Sequence, residues 1–298
     1  MKHLFIINPA AGSRDRTKEY KKAIVEACQG LDYRVEVSAG PGDCTRLAAE
    51  AAKSGEEYRI YACGGDGTLN EVAAGAAGCP NAAVTVFAGG SGNDFVRLFS
   101  EPQAFRDLHR LLDAQERELD LIRCNDSLSV NICSVGLDAR IGTDVASYKR
   151  IPLLQGFWAY AASAAVNVIK GIAEPLEVEI CGQVLAGEMT MVCVCNGRYY
   201  GGGFCPVPEA DPADGMLEVL LVDKVRRHQV PGLIGKYKAG RYRELPRYIR
   251  HFRTDSLTIR AKGPTAINLD GELRRAEEIH ISLAEEKLRF FYPKGLTW

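Results

Sequence analysis

"CGGDGTLNEV", residues 63 to 72, is the stretch whose reading decides the fold. Three glycines surround a single aspartate directly after the apolar run "YRIYA", residues 58 to 62, whose Tyr58, Ile60 and Tyr61 are strand formers. The following "TLNEVAAGAA" sets Leu69, Val72, Ala73 and Ala76 at helical spacing, and Thr68 is expected to cap the first turn. Asp66 therefore falls at a strand-to-helix turn, flanked by residues that let the backbone come close to a partner. Bare amides at a helix N-terminus suit a phosphate. A carboxylate among phosphate contacts implies a metal ion or a proton transfer, because alone it would repel the phosphate.

Outward from this turn the pattern alternates from residue 1 to about residue 123. "HLFIIN", "YRVEV", "YRIYA" and "AAVTVFA" read as strands. "RTKEYKKAIVEAC", "DCTRLAAEAAKS", "TLNEVAAGAA" and a stretch over 103 to 112 read as helices. Such alternation predicts a parallel sheet with helices on both faces and a ligand beyond the C-terminal ends of the strands. Three turns leave those ends: "NPAAGSR" at 8 to 14, "GGDGTLNE" at 64 to 71 and "GGSGNDF" at 89 to 95. None matches GxxxxGK[ST] or a GxGxxG in its proper context. Singly, each is an ordinary way to end a strand. On one shared edge they form a rim of amides and small polar side chains (Asn8, Ser13, Thr68, Asn70, Ser91, Asn93) with room for a large polyanion.

After about residue 123 the character changes. "SLSVNICSVG", "LEVEI", "QVLAGEMTMVCVCN", "MLEVLLVD", "SLTIRA", "TAINLD", "EEIHISL" and "KLRFFY" read as strands, with helices expected at 138 to 148, 153 to 170 and 228 to 240. This predicts a mainly antiparallel β domain, a sandwich with a few packed helices. In "EADPADGMLEV", residues 209 to 219, Glu209, Asp211 and Asp214 crowd one turn, which suits either Mg²⁺ or Ca²⁺ or a plain solvated turn. In "NLDGEL", residues 268 to 273, Asp270 and Glu272 flank Gly271 and would face the same way on an extended segment. They form either a general-base pair, with Asp66 as a third candidate, or an Asp-Gly hairpin turn. From Lys224 to Arg253 ten Lys and Arg residues interleave with Tyr237, Tyr242, Tyr248 and Phe252, and Glu244 is the only carboxylate. That stretch reads as a nucleic-acid surface, an anionic-membrane surface or a solvated face.

The chain has 298 residues, a length that suits two domains, and 46% hydrophobic with 25% charged residues, enough to bury a full core. The formal net charge of -1 argues neither for nor against an anionic partner. Ten scattered cysteines without a CxxC pair read as reduced small hydrophobes of a cytosolic protein, with Cys193 and Cys195 on the same face of one strand. The apolar run in "MKHLFIINPAAGS" is too short for a signal peptide. "IPLLQGFWAYAASAAVNVI", residues 151 to 169, carries no charge, but its Pro152, Gln155, Gly156, Ser163 and Asn167 favour a packed helix over a membrane span.

"NPAAG", "GGDGTLNEV", "GGSGNDF", "DPADGMLEV" and "NLDGE" occur in the order and spacing of the diacylglycerol kinase catalytic-domain family, and the chain most resembles its bacterial soluble lipid kinases. "GGDGT" is shared with NAD kinases and phosphofructokinases; the later motifs narrow the resemblance. It implies an ATP-binding α/β domain over 1–123, with 285–298 returning to it, and a β-sandwich lipid-substrate domain over 124–284. It implies a nucleotide site at Asn8, Pro9, Ala10, Ala11, Gly12, Ser38, Gly64, Gly65, Asp66, Gly67, Thr68, Leu69, Asn70, Glu71 and Ser91, with Ser38 and Ser91 standing where relatives usually have threonine. It implies Mg²⁺ held by the Asp214 carboxylate and the backbone oxygens of Asp211 and Met216, a base among Asp270 and Glu272, and Asp66 serving a water–Mg²⁺ network. The implied reaction is γ-phosphoryl transfer from ATP to a lipid hydroxyl, with diacylglycerol the first choice of acceptor. NAD kinase activity and a non-catalytic nucleotide- or lipid-binding role are the alternatives. The implied setting is cytoplasmic and peripheral to a membrane, without nucleic acid, and with a homodimer left open.

Overall fold

The strand that ends in the Gly-rich turn is central to its sheet. A computed structural model describes residues 1–89, 93–141 and 172–298. Ser91, most of the helix expected at 138 to 148, the one expected at 153 to 170 and the uncharged segment 151 to 169 lie outside the described residues. The chain divides into two units. The first comprises Met1–Leu121, Gly201–Gly203 and Ala284–Trp298, and the second Ile122–Tyr200 and Phe204–Leu283.

In the first unit, β1 (Lys2–Ile7), β2 (Tyr33–Val37), β3 (Tyr58–Gly64) and β4 (Ala82–Ala88) alternate with α1 (Thr17–Ala27), α2 (Asp43–Ala52) and α3 (Asp66–Ala76). The sheet runs β2-β1-β3-β4-β15-β5, where β15 is Leu288–Pro293 and β5 is Ala114–Leu119. All pairings are parallel except β15 with β5. β1, β3 and β4 are buried on both faces, which explains why they read as continuous apolar runs. The connections after β1 and after β3 lead toward opposite edges of the sheet, so the topological switch lies between β1 and β3, where a ligand crevice is expected. β5, "AQEREL", escaped the reading because an edge strand with one wet face needs few apolar residues. The helix expected over 103 to 112 is a 3-10 turn, Pro102–Arg106, followed by the short α4, Leu108–Leu112, whose cap is the Asp107 carboxylate.

The second unit is an antiparallel β-sandwich built from one hydrogen-bonded network of nine strands. Its long strands are β10 (Gln183–Cys195) and β13 (Ser256–Leu269). Both pair with β8 (Ile132–Gly136) and, farther along, with β9 (Glu174–Ile180). β11 (Leu217–Asp223) and β12 (Ile249–Thr254) extend it on one side. β14 (Glu272–Leu283), β6 (Ile122–Cys124) and β7 (Ser127–Ser129) extend it on the other. Alternate residues such as Val192, Val194, Val219 and Leu221 enter the sandwich core. Met191, Cys193, Cys195, Leu220 and Val222 face the opposite way, onto Tyr237 of α5 (Val230–Lys238) and onto Tyr242 and Leu245. "SLTIRA" and "TAINLD" are therefore one strand, with an irregularity between Arg260 and Thr265, and "SLSVNICSVG" is two. Cys193 and Cys195 do share a face, with Sγ atoms 3.6 Å apart, and all ten cysteines are free thiols.

Candidate active site

Residues 8–12, Ser38 and residues 64–71 come together at the C-terminal ends of β1, β2 and β3. The Asn8 N–H donates to the Cys63 carbonyl at 3.2 Å, its Oδ1 accepts the Ala10 N–H at 3.0 Å, and its Nδ2 donates to the Thr68 hydroxyl at 3.2 Å. One asparagine thus closes the first turn and binds it to the start of α3. The buried Ser38 donates its N–H to the Ile7 carbonyl at 2.9 Å. The third turn joins them, since Gly89 donates its N–H to the Gly64 carbonyl at 3.0 Å and accepts from the Arg16 guanidinium.

Thr68 does not cap α3. The helix starts earlier, with Gly65 as N-cap, no side chain accepting from its first amides, and Asp66 as its first residue. Thr68 sits inside the first turn, buried against Gly64, where an added Cβ would lie 2.2 Å from the Thr68 Oγ1. Gly65 and Gly67 lie outside the left-handed region, so backbone angle does not demand glycine there. At Gly67 a Cβ would meet nothing within 4 Å, which leaves open space before the uncapped amides. Leu69 and Asn70 are buried in the helix, and Glu71 receives the Thr45 hydroxyl on its carbonyl at 2.9 Å.

The Asp66 carboxylate reaches across to the chain that follows the third turn. Its Oδ2 accepts the Asp94 N–H at 2.9 Å and its Oδ1 the Phe95 N–H at 3.0 Å. Asp94 is buried, accepts the Gly202 N–H at 2.6 Å, and lies 3.1 Å from the Arg97 Nε. Burial, and then the nearby Asp66 charge, push the Asp94 carboxyl above the usual carboxylate range. Asn93, Arg97, Gln103 and Arg106 line an adjoining cavity of about 310 Å³, whose two guanidinium groups suit an anion. Asp94, Arg97 and Arg106 were not candidates from sequence. The available signal was the Asn93-Asp94 pair directly after "GGSG", followed by Arg97 and Arg106.

In the second unit, Asp270 and Gly271 form the two-residue turn between β13 and β14, with φ of 48° and 95°. Asp and Gly are the residues that tolerate such a turn. Asp270 is therefore not in the extended register that would align it with Glu272. Its Oδ2 accepts the Ser129 hydroxyl at 2.7 Å and the N–H groups of Val130 and Asn131 at 2.9 Å each, and its Oδ1 accepts the Ile132 N–H at 2.8 Å. These four donors bind the turn to the β7–β8 connection. Glu272 opens β14, with a half-buried carboxylate 2.8 Å from the Arg274 guanidinium.

The acidic turn does not gather its carboxylates. Glu209 accepts from Tyr242 and Arg243, and Asp211 accepts the Ala213 N–H at 3.1 Å. Asp214 accepts the Met216 N–H at 3.0 Å and pairs with Arg253. Among the described residues no group of three or more His, Cys, Asp or Glu could hold a metal ion. The Asp214 carboxylate, which the resemblance places on Mg²⁺ together with the backbone oxygens of Asp211 and Met216, pairs here with the half-exposed Arg253. The basic stretch is likewise more neutral than its sequence. Lys224 pairs with Glu188, Lys236 and Arg241 with Glu244, Arg250 with Asp223, and Arg253 with Glu218. Most of these carboxylates come from neighbouring strands, which a local reading cannot see. Among the described residues no helix is long and apolar enough to cross a membrane.

Comparison with known proteins matches residues 2–124 to the diacylglycerol kinase catalytic domain. Residues 131–291 match the YegS C-terminal NAD kinase beta sandwich-like domain. A protein of Pseudomonas aeruginosa (strain PAO1) named "Probable lipid kinase YegS-like" is 27% identical over 292 residues, covering 95% of this chain and 93% of its own. The crystal structure of a diacylglycerol kinase from Bacillus anthracis str. Sterne shares the fold with a TM-score of 0.69 at 21% identity, covering 98% of this chain and 97% of its own.

Proposed function

Because the chain belongs to the diacylglycerol kinase catalytic-domain family of lipid kinases, with a YegS-type C-terminal domain, we propose that it transfers the γ-phosphoryl group of ATP to the hydroxyl of a lipid, diacylglycerol being the acceptor. The observation that carries this reading is the edge of the first sheet. There the turns after β1, β3 and β4 are bonded to one another around a helix N-terminus that no side chain caps. Free amides in that position hold phosphate oxygens, and the open space at Gly67 leaves room for them. Arg97 and Arg106 add positive charge beside it.

Asp66 and Asp94 are two neighbouring hard-oxygen groups whose mutual repulsion a divalent cation would relieve. They are candidates for holding Mg²⁺ alongside Asp214 with the backbone oxygens of Asp211 and Met216, and no step is assigned to the turn at 211–216. Magnesium bound with the nucleotide neutralises phosphate charge. Among the carboxylates considered for the base, Asp66 and Asp270 have both oxygens engaged by N–H or O–H donors. Glu272 faces a single flexible arginine side chain. Glu272 is therefore the group assigned to accept the lipid hydroxyl proton, and Asp270 is a positioning residue that holds the hairpin carrying it. The protein works in the cytoplasm, peripheral to the membrane that supplies its substrate.

The test is turnover of γ-labelled ATP with diacylglycerol, ceramide, a sphingoid base and phosphatidylglycerol in mixed micelles, with NAD as the control acceptor. Label in an extracted lipid supports the reading. Label on NAD, or ATP binding with no acceptor phosphorylated, overturns it.

A further inference from the structure

β2 forms one edge of the first unit's sheet, and among the described residues its only strand partner is β1. The bonds at the two ends of that ladder set which way its backbone groups point. The His3 N–H donates to the Asp32 carbonyl at 2.9 Å, and the Ser38 N–H donates to the Ile7 carbonyl at 2.9 Å. Even-numbered residues of the stretch therefore bond inward to β1, and the alternation of a strand turns the N–H and C=O groups of Tyr33, Val35 and Val37 toward the open edge. Such an edge is a template for a further strand. Nothing in "YRVEV" blunts it, since the strand carries no proline or lysine and its register with β1 is unbroken. Apolar surface accompanies it. Val37 is 38% exposed, and Leu31, in the turn that leads into β2, is 41% exposed.

The charges on the strand say what fits there. Arg34 and Glu36 point to one face and form a partly exposed ion pair at 3.0 Å. Laid antiparallel against a copy of itself and centred on Val35, the strand sets each Arg34 opposite a Glu36 of the copy. On the other face the same register sets each Tyr33 opposite a Val37 and the two Val35 side chains together, which are aromatic–β-branched and β-branched pairs. Tyr33, Val35 and Val37 are also the residues whose backbone groups face outward, so they become the hydrogen-bonded pairs of the new ladder. Centring the pairing on Arg34 or on Glu36 would instead set like charges opposite one another, which is destabilising. We propose that β2 pairs in this register with β2 of a second copy of this chain, joining two six-stranded sheets across a two-fold axis. The contact is self-complementary, as a two-fold interface requires, and it does not depend on the reaction assigned above.

The test is sedimentation velocity of the full chain over a concentration series. Wild type should pass from monomer to dimer as concentration rises, and hydrogen exchange at the Tyr33, Val35 and Val37 amides should slow over the same range. Arg34→Glu and Glu36→Arg, each alone, set like charges opposite one another and should raise the dimer dissociation constant about tenfold or more. Each of these variants carries the complement of the other. An equimolar mixture of the two should therefore form a heterodimer at wild-type strength, and the double variant Arg34→Glu with Glu36→Arg should dimerise as wild type does. Val35→Pro removes the central outward N–H, spares the β1 ladder and should stay monomeric. If Val35→Pro fails to fold, the charge variants, at partly exposed positions, still decide. Monomer throughout the series, a dimer that both single charge reversals leave intact, or no rescue in the mixture overturns the proposal.

Discussion

Asp270 and Glu272 stand two positions apart and are held in different ways, so their substitutions should fail differently. Glu272→Gln keeps the β13–β14 hairpin and removes a proton acceptor. It should lower kcat by about 10²- to 10⁴-fold with ATP affinity unchanged. Asp270→Asn replaces an oxygen that accepts hydrogen bonds with an NH₂ that cannot, facing Ser129 and the N–H groups of 130–132. It should lower stability by about 1–3 kcal/mol per unsatisfied donor, read as a fall in the urea midpoint. A midpoint drop for Glu272→Gln, or none for Asp270→Asn, would contradict the assignment. The glycines divide in the same way. Gly64→Ala drives a methyl into Thr68 and should unfold more readily, whereas Gly67→Ala meets nothing and should leave stability unchanged or raised. Asp138 supplies a pH dependence. Burial raises its carboxyl above the ordinary value, against the opposing bonds from Ser134 and Asn268. The native state then holds a proton that the unfolded chain releases above about pH 4, so this group's contribution is greatest at low pH and fades as pH rises through the folded pKa. Asp138→Asn should gain on wild type in denaturant midpoint as pH rises above about 4; a constant difference would show that the carboxyl keeps its ordinary value in the fold. At this scale the sequence made the glycine-flanked Asp66 visible, because few other arrangements need such a turn. It did not show which oxygens are occupied. Asp94, Arg97 and the loop that binds Asp270 lie far from those carboxylates in sequence, and only folding brings them together.

At the scale of elements, what was legible followed burial. β1, β3 and β4 are buried on both faces and could be read from composition alone. β5 and β12 were missed because their exposed faces carry charge, "AQEREL" and "IRHFRT", and a strand that is half wet resembles a loop. The reading of 249–254 as part of a basic surface has the same cause. Arg253 faces Glu218 directly across the β11–β12 ladder and pairs with it. β13 was divided in two where its register with β14 slips. The α2–α3 contact gives a clear test. A Cβ on Gly75 would lie 2.3 Å from the Thr45 carbonyl and 2.9 Å from the Ala48 Cβ. Gly75→Leu should therefore cost about 1–3 kcal/mol of stability despite the better helix propensity of leucine, measured by thermal unfolding. An unchanged midpoint would mean that the two helices do not approach this closely.

For the whole molecule, the class of each unit was legible: a parallel α/β sheet with Gly-rich turns, then an antiparallel sandwich. What the chain cannot show in its local patterns is the division of labour between carboxylates, because ion pairs such as Asp214 with Arg253 decide which of them are free to act. The ten free thiols imply that adding or removing a reductant leaves the unfolding midpoint unchanged, and a shift would reveal a disulfide absent from this fold. The central claim is phosphoryl transfer to a lipid hydroxyl, and its most direct measurement is the recovery of γ-phosphate label in the extracted lipid phase, per ATP consumed, with diacylglycerol micelles and wild-type protein beside Glu272→Gln. The account predicts near-stoichiometric label in phosphatidic acid for wild type and about 10²-fold or more less for Glu272→Gln. ATP consumed without labelled lipid, or equal labelling by the two proteins, would contradict it.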